Sequence, residues 1–317
     1  MIEGTRTTPR LDLGQAVLEF IAKRQEFIGL KMLPVFETAK KAAVFPAITR
    51  ESLTRIPNTK RAPGSGYTRV NLGTEEKSFS CEEHGLEGPL DDSERSLYKS
   101  DFDAELATVD QIVGLILLAQ EQRVASALFN TSTFTGSSLY TDNSSSPWDD
   151  ASTDIIDQVR AAKEKVRKNC GLMPNAICFS ETNLNRIKAN TGIKDAIKYV
   201  AKLTDEELMA ALGALFGIPN VFVGRAVYNS ANKGKAFSGA DVWSDDYAFV
   251  GVIATDPKLL KQPSVGRTFL WTEDSPKNPI VEQYREEGIR STVFRVRHSV
   301  DEKIIDPYFG HLMKVDA

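Results

Sequence analysis

The stretch KRAPGSGYTRVNLGTEEKSFSCEEHG, residues 60–85, decides the fold of this chain. It is strand-like on both sides of a Pro-Gly-Ser-Gly turn at residues 63–66, yet few of its side chains are apolar enough to build a core. A two-stranded ribbon is only marginally stable alone in water. Fully extended, the segment from Tyr67 to Phe79 would reach about 40 Å. We therefore expect an arm that projects from the protein and packs against something other than its own chain.

Composition and charge argue against a protein that grips nucleic acid by neutralising phosphates. The 317 residues include 39 basic and 43 acidic side chains, with a pI near 5.6, whereas such domains typically have a pI above ~9. The longest apolar run, residues 112–119, is too short to span a bilayer. The three cysteines, Cys81, Cys170 and Cys178, have neither disulfide-framework nor zinc spacing, which favours a reducing compartment. We expect a soluble, intracellular protein.

Hydrophobic periodicity places the elements of the first half. Apolar residues between Val17 and Ile28 predict a helix over residues 15–30, and VFETA and AAVFPAITRESL predict short strands. The strongest helix signal spans residues 101–130 and would be about 45 Å long, a spine for the fold. Its apolar face is predicted to contain Phe102, Leu106, Val109, Val113 and Ile116.

Gly114 lies inside this spine helix, where glycine costs ~1 kcal/mol relative to alanine. Two explanations remain open. Either a neighbouring element packs closely there, or Gly114 is a hinge at which the helix changes curvature between two states.

The second half alternates helices and strands from about residue 153 to 264. A helix from about Ile155 ends at Gly171, Ser180 can cap another, and Thr204-x-x-Glu207 is a capping box. NAICF, VFVGRAVY and DYAFVGVIA read as strands, so a central sheet flanked by helices is expected. In the strand-rich tail, STVFRVRHSV alternates like a half-buried strand. The predicted fold class is α+β.

Motifs for catalysis or metal binding are weak. The histidines are His84, His298 and His311, and Cys81-Glu-Glu-His84 has no second pair of ligands at zinc spacing. The Gly64-Ser65-Gly66 turn lacks the further residues of a phosphate-binding loop. No Gly-x-Ser-x-Gly nucleophile motif is present. We expect no catalytic residue, no metal and no cofactor.

Several segments, in this order, resemble the major capsid protein of tailed double-stranded DNA bacteriophages, the Hong Kong 97 type of shell fold that encapsulins also use. The similarity runs from about Gln15 to the C-terminus and includes the spine helix with Glu121 and Arg123. The other matching segments are FIGLKMLPVF, RAPGSGYTRVNLGTEEKSFSCEEHGLEGPLDDSER, SPWDDASTDIIDQV, GLMPNAICFSETNLNRI, ALFGIPNVFVGRAVYN and VFRVRHSVDEKIIDPYFGHLM.

The resemblance implies four parts and no catalysis. These are an N-terminal arm (1–33), an extension loop built as a β-hairpin (54–80), a peripheral domain with the spine helix (34–53, 81–149 and 266–317), and an axial domain with a central sheet flanked by helices (150–265). The extension loop would be ordered by lying across a neighbouring subunit. Its assembly contacts are expected at Lys60, Arg61, Gly64, Gly66, Tyr67, Arg69 and Lys77.

The resemblance also implies partners. Copies of the chain would form hexamers and pentamers of a closed shell in the virion, assembled in the host cytoplasm around double-stranded DNA that is not bound tightly. A separate scaffolding protein, a portal and a decoration protein are the expected partners, with no membrane. Some family members join a loop lysine covalently to a neighbour. Lys60 and Lys77 lie in the loop, but no matching asparagine or glutamate is identified, so we expect no cross-link.

Two other readings remain open at the level of sequence. An encapsulin-type nanocompartment that encloses cargo enzymes would have the same fold. A cytosolic α/β enzyme built on residues 153–265 would instead have a ligand pocket with perturbed titratable groups.

Overall fold

The computed structural model describes residues 8–9, 27–71, 73–97, 104–197, 204–256, 258–276 and 279–317. Its strands are β1 (Thr8–Pro9), β2 (Val35–Thr38), β3 (Ala42–Ile48), β4 (Thr74–Ser80), β5 (Glu82–Asp91), β6 (Tyr140–Asp142), β7 (Ala176–Ser180), β8 (Asn220–Gly224), β9 (Val227–Asn229), β10 (Gly239–Asp241), β11 (Tyr247–Gly251), β12 (Gly266–Trp271), β13 (Ile280–Glu286), β14 (Ser291–Ile304) and β15 (Gly310–Lys314).

The helices are α1 (Gly29–Met32), α2 (Arg50–Thr54), α3 (Asp92–Leu97), α4 (Ala104–Leu128), α5 (Ile155–Cys170), α6 (Glu181–Ala189), α7 (Thr191–Ile197) and α8 (Asp205–Phe216), with two short 3₁₀ turns at Glu287–Ile289 and Pro307–Phe309. The mixture of helices and sheets agrees with the predicted α+β class. No helix among these residues is long and apolar enough to cross a membrane.

The spine helix α4 packs on a six-stranded sheet. The sheet has the order β1-β13-β14-β12-β2, and β5 pairs with β14 as well. Val109, Val113 and Ile116 of α4 are buried with Phe294 and Val296 of β14 in one hydrophobic cluster. The helix therefore begins, within the described residues, at Ala104 and buries the face that its periodicity predicted.

The close approach to the spine occurs at Gly88 of β5. A Cβ atom there would lie 2.7 Å from Ile112 Cδ1, so helix and strand can touch only because the side chain is missing. Gly114 lies in the middle of an uninterrupted, half-buried helix.

A five-stranded sheet of order β6-β15-β11-β7-β8 forms the second core. β7 is buried along its whole length, as expected for a strand covered on both faces. Cys178 faces the cluster that includes Val124 and Leu128 of the spine, while Ile177 and Phe179 face the cluster formed with α5, α6 and α8. The spine helix thus contributes to the cores of both sheets.

The local signals singled out in the second half are confirmed. Ser180 accepts a hydrogen bond from the first turn of α6, as predicted, and Asp154, which the sequence analysis did not single out, does the same for α5. Thr204 and Glu207 form the predicted capping box of α8. Gly171 and Gly217 end α5 and α8 in the left-handed conformation, with φ of 76° and 60°.

Three expectations need correction or fall outside the structure. The predicted strand AAVFPAITRESL ends at Ile48, and α2 follows from Arg50, where Ser52 Oγ donates to the Thr49 carbonyl and both residues donate to the Gly73 carbonyl across the loop. The ribbon has no strand over residues 55–71, and β4 pairs with β3 instead of with the other side of the tip. The helix predicted over residues 15–30 lies mostly outside the described residues, of which only α1 is helical there.

Candidate assembly surface

The extension loop leaves the body between β3 and β4. The ladder of these strands ends at the pair Ile48–Thr74. Immediately beyond it, the Gly73 carbonyl accepts from Thr49 N–H, Thr49 Oγ1 and Ser52 Oγ, each at 3.2 Å. The two chain segments are therefore held together at the base of the loop, where the end of α2 still touches the body, since a Cβ on Gly171 would lie 3.0 Å from Thr54 Cγ2.

A stack of aromatic rings anchors the ribbon from which the loop projects. The rings of Phe79 in β4 and Phe269 in β12 are parallel, with centroids 4.3 Å apart. Phe45 of β3 also packs on Phe269, with its centroid 5.4 Å away. Since burial of such rings is worth roughly 1.5–3 kcal/mol each, the root of the ribbon is fixed to the six-stranded sheet.

Every residue from 54 to 71 is exposed. The tip is a turn in which Ser65 N–H donates to the Ala62 carbonyl at 3.1 Å, and Gly64 has a φ of 82°, which favours glycine. The Arg61 guanidinium lies 4.5 Å from the centre of the Tyr67 ring. These contacts are internal to the loop, so its tip contacts no part of the body that the structure describes.

The predicted assembly residues divide into two groups. Lys60, Arg61, Gly64, Gly66, Tyr67 and Arg69 all lie in the exposed loop. Lys77 lies instead in β4, where it pairs with Glu75 at 2.9 Å, and its contact with a neighbouring subunit stays a prediction.

The loop is uniformly basic. Between Ser52 and Thr74 the sequence contains Arg55, Lys60, Arg61 and Arg69 and no acidic residue, in a chain whose net charge is −4. Three large apolar side chains accompany them, Ile56, Tyr67 and Val70, with 92%, 78% and 70% of their surface exposed. Among the described residues no carboxylate pairs with these cations, and exposed apolar surface together with such charge is typical of a protein–protein contact that is not yet made.

Glu121 joins three parts of the chain, and sequence reasoning did not predict this role. Its carboxylate is 3% exposed and accepts hydrogen bonds from Ile28 N–H at 2.8 Å, Gly29 N–H at 2.8 Å and Trp243 Nε1–H at 2.7 Å. Burial raises the pKa of Glu121 above its ordinary value, although the three donors act in the opposite direction. The end of the N-terminal segment, the spine helix and the second sheet therefore meet at one carboxylate.

His298 lies beneath the spine helix, close to the side chains of Arg123 and His84. It is fully buried opposite His84 on β5, with ring centroids 5.9 Å apart. Nearby, Arg123 binds Glu302 through two hydrogen bonds of 3.0 and 2.9 Å. Burial, Arg123 and His84 together lower the pKa of His298 to about 3. Its place on the apolar face of β14 agrees with the predicted alternation.

The residues considered for chemistry are dispersed. Within the described residues, no group of three or more His, Cys, Asp or Glu side chains is placed to hold a metal ion. Cys81 is buried, and burial raises its pKa to about 11, which is unsuited to a reactive thiolate. Asp205, Glu206 and Glu207 occupy the first turn of α8, where acidic side chains favour the helix dipole.

Comparison of the sequence with known proteins finds two curated relatives of one kind. No family model matches the chain. The major capsid protein of Burkholderia phage BcepMu is 28% identical over 282 residues, which cover 85% of this chain and 87% of that protein. The major capsid protein of Pseudomonas phage JBD67 is 23% identical over 197 residues, 62% of each.

Comparison of the structure gives the fold. A phage-related protein from Bordetella bronchiseptica has a TM-score of 0.73 at 22% identity, covering 98% of both chains. The capsid protein of Cyanophage P-SCSP1u has a TM-score of 0.55 at 12% identity, covering 90% of this chain and 87% of that one. In sequence this chain is therefore similar to phage major capsid proteins, and its fold is the Hong Kong 97 type of shell fold that the resemblance implied.

Proposed function

We propose that copies of this chain close into an icosahedral phage head of hexamers and pentamers around double-stranded DNA, held together by the extension loop of each copy lying across a neighbour. The observation that carries this proposal is the loop itself. All of residues 54–71 are exposed, and they carry four cations, no anion and three exposed large apolar side chains.

The loop favours a second copy as its partner because of its charge and its shape. A segment without a core gains little from ordering in a monomer, since fixing each residue costs roughly 1–2 kcal/mol. Laid across a neighbour whose net charge is negative, the same segment pairs its cations and buries Ile56, Tyr67 and Val70. Obligate interfaces bury on the order of 2,000 Å² or more, and an outstretched loop gathers area with few residues.

The charge of the chain also suits a container for DNA. Strong binding to phosphates would need a basic surface and would depend steeply on salt. With a net charge of −4, the shell would enclose the genome without holding it tightly. We propose a separate scaffolding protein, a portal and a decoration protein as its partners, and assembly in the host cytoplasm.

The predicted division into domains stays a proposal, with one refinement. The five-stranded sheet assigned to the axial domain (150–265) also contains β6 and β15, which come from ranges assigned to the peripheral domain. We therefore propose that residues 140–142 and 310–314 belong to the axial domain, and that the N-terminal arm (1–33) and the remaining peripheral domain keep their predicted bounds. Within the extension loop (54–80), β4 is fixed to the six-stranded sheet through Phe79, so we propose that residues 54–71 form the projecting part.

The encapsulin alternative shares the fold, so the fold does not separate it from a phage head. The curated relatives do favour the phage head, because both are phage major capsid proteins. Nuclease-protected DNA inside particles made in a phage-producing host supports the proposal. Particles that protect enclosed enzymes and no DNA would contradict it.

Reversing the charge of the loop tests its role. Arg61→Glu combined with Arg69→Glu should prevent shell formation, seen by negative-stain microscopy and sedimentation, while leaving the melting temperature of the monomer unchanged. Lys258→Glu combined with Lys261→Glu makes the same change in net charge at two exposed lysines outside the loop and serves as the control. Shells formed equally well by the loop variant and the control would refute the contact.

We propose that the subunits are not cross-linked covalently. Lys77 is engaged with Glu75, and the side chain of Lys60 lies in the exposed loop, open to water. Mature particles boiled in denaturant should give one band on a gel, and a ladder that disappears in Lys60→Arg would overturn this expectation.

A further inference from the structure

Strands β9 and β10 form a hairpin whose connecting loop, residues 230–238, is held rigid by its own hydrogen bonds. Ser230 N–H donates to the Ser238 carbonyl at 2.8 Å, and Asn229 Oδ1 accepts from Ser238 N–H at 3.0 Å. Gly234 turns the chain with a φ of 85°. The hairpin is exposed and yet ordered without help from a core, so it is preorganised for a contact.

One face of this hairpin is apolar and open to solvent. Phe237 is 75% exposed and Val227 is 48% exposed. Both side chains lie at Gly239, where a Cβ atom would come within 3.2 Å of the Phe237 ring and 3.5 Å of Val227 Cγ1. An exposed aromatic ring on a rigid support is typical of the centre of a protein–protein contact. We call Phe237, Val227 and the charged residues around them the hairpin face.

The two ends of the hairpin face carry opposite charges. Lys233 and Lys235 lie exposed in the loop and have no ion pair within the part of the chain that the structure describes. At the base, Asp241 lies opposite Val227 in the ladder and Asp245 follows it. Neither of these carboxylates has a cation beside it among the described residues, and the buried Asp245 Oδ1 accepts no hydrogen bond there.

The electrostatics at the base confirm that negative charge accumulates there. Burial, together with the neighbouring carboxylates of Asp245 and Glu181, raises the pKa of Asp241. Glu181 is itself paired with Arg225, so that cation is already engaged. A cation supplied from outside the chain and placed beside the exposed Asp241 would relieve the repulsion among these carboxylates.

We infer that the hairpin face binds a second copy of this chain, with Phe237 and Val227 at the centre and Lys233 and Lys235 of one copy beside Asp241 and Asp245 of the other. Charge complementarity favours a second copy as the partner, because the lysines at the tip of the hairpin face are opposite in charge to the carboxylates at its base. Because the same face of both copies meets, with the tip of each beside the base of the other, the contact is self-complementary and pairs two copies about a twofold axis. The inference rests on the proposed shell in that such pairs of copies would recur within it, and it uses none of the residues of the extension loop.

Charge reversal and its rescue test the contact. The tip variant carries Lys233→Glu and Lys235→Glu, the base variant carries Asp241→Lys, and a third protein combines all three changes. Self-association is measured by sedimentation velocity over a concentration series, which does not require complete shells. Tip and base variants should each associate about tenfold or more weakly, since like charges then face each other, and the combined protein should recover most of the loss.

Two further variants complete the design. Phe237→Ser should weaken association as the charge reversals do, because it removes the apolar centre. Lys194→Glu, an exposed lysine on α7, is the control for net charge and should associate like the unchanged protein. Melting temperatures close to that of the unchanged protein show that the exposed substitutions leave the fold intact.

The outcomes separate this inference from the proposed function. If the unchanged chain forms shells and the tip, base and Phe237 variants associate as it does, the hairpin contact is refuted and the shell stands. A combined variant that associates no better than its parents also refutes the charge pairing. If the unchanged chain fails to associate at every concentration, even when produced with the other proteins of its phage, the hairpin contact and the shell both fail.

Discussion

Acid should destabilise this protein through His298, and the size of the effect follows from its burial. The imidazole has no exposed surface, and its pKa is lowered to about 3 by burial and by Arg123 and His84. In the unfolded chain the pKa is about 6.5. Because the folded pKa is the lower one, the unfolded state binds more protons between these values, and stability is lost as the pH falls from about 6.5 towards 3.

The magnitude can be worked out from these two pKa values. At about pH 4.5 an ordinary imidazole is almost fully protonated, whereas the buried one is almost neutral. From the unfolded pKa of about 6.5 down to about pH 4.5 there are about two pH units over which only the unfolded state takes up the proton. Each unit is worth about 1.4 kcal/mol, so His298 alone should lower the free energy of unfolding by about 2.5 kcal/mol between about pH 7.5 and pH 4.5. His311, also fully buried, has a pKa lowered to about 4 and should contribute a loss of similar size.

The assay is urea denaturation of the dilute, unassembled protein at both pH values, followed by the fluorescence of the buried Trp148 and Trp243. His298→Gln keeps a polar side chain of similar size that does not titrate. The quantity to compare is the fall in the free energy of unfolding between about pH 7.5 and about pH 4.5. This fall should be about 2.5 kcal/mol smaller in the variant than in the unchanged protein, whatever the stability of the variant at neutral pH. Other titrating groups contribute to both proteins alike, so an equal fall in the two would refute the reasoning.

Three further predictions concern single sites. Glu121→Ala leaves three buried N–H donors without their acceptor. In denaturant titrations it should lower the free energy of unfolding by about 3–5 kcal/mol. A loss below about 1 kcal/mol would contradict the role of Glu121 in joining the three segments. Gly224→Ala places a Cβ 2.3 Å from the Trp243 ring and should lower the melting temperature clearly. The control Gly66→Ala, whose Cβ would have no atom within 4 Å, should leave the melting temperature unchanged. Equal melting temperatures for the two variants would show that Trp243 can move aside. Gly114→Ala should raise the free energy of unfolding by about 1 kcal/mol, because alanine favours the helix. If Gly114 is a hinge, the variant should also assemble poorly, or its shells should fail to expand, as seen by microscopy. Unaltered assembly and expansion of the shell would exclude the hinge.

The features that the sequence predicted correctly depend on neighbours along the chain. The capping box at Thr204 and Glu207 needs only a hydroxyl and a carboxylate three residues apart at the start of a helix. The spine helix follows from a 3.6-residue apolar period, and β14 from an alternation of two. The family resemblance succeeded for a related reason, since it depends on the order of such segments along the chain.

The features that the sequence missed depend on residues far apart in it. Glu121 meets Ile28 and Gly29 across 93 and 92 positions and Trp243 across 122, and no local pattern indicates which donors a buried carboxylate will find. The change from strand to helix after Ile48 was missed because Thr49 and Ser52 are anchored by Gly73, on the far side of the loop.

The sequence by itself determined the spine helix, β14 and the capped helices of the second half, and that residues 54–71 lack the apolar side chains to pack on their own body, because these properties are set by side chains close together in the chain. Only the tertiary structure decided that β15 joins the second sheet, that one carboxylate ties three segments together, and that a rigid hairpin presents Phe237 between opposite charges. These are decided by which surfaces meet when the chain closes, and hydrogen bonds and charges between distant segments gain their strength only after water has been excluded from between them.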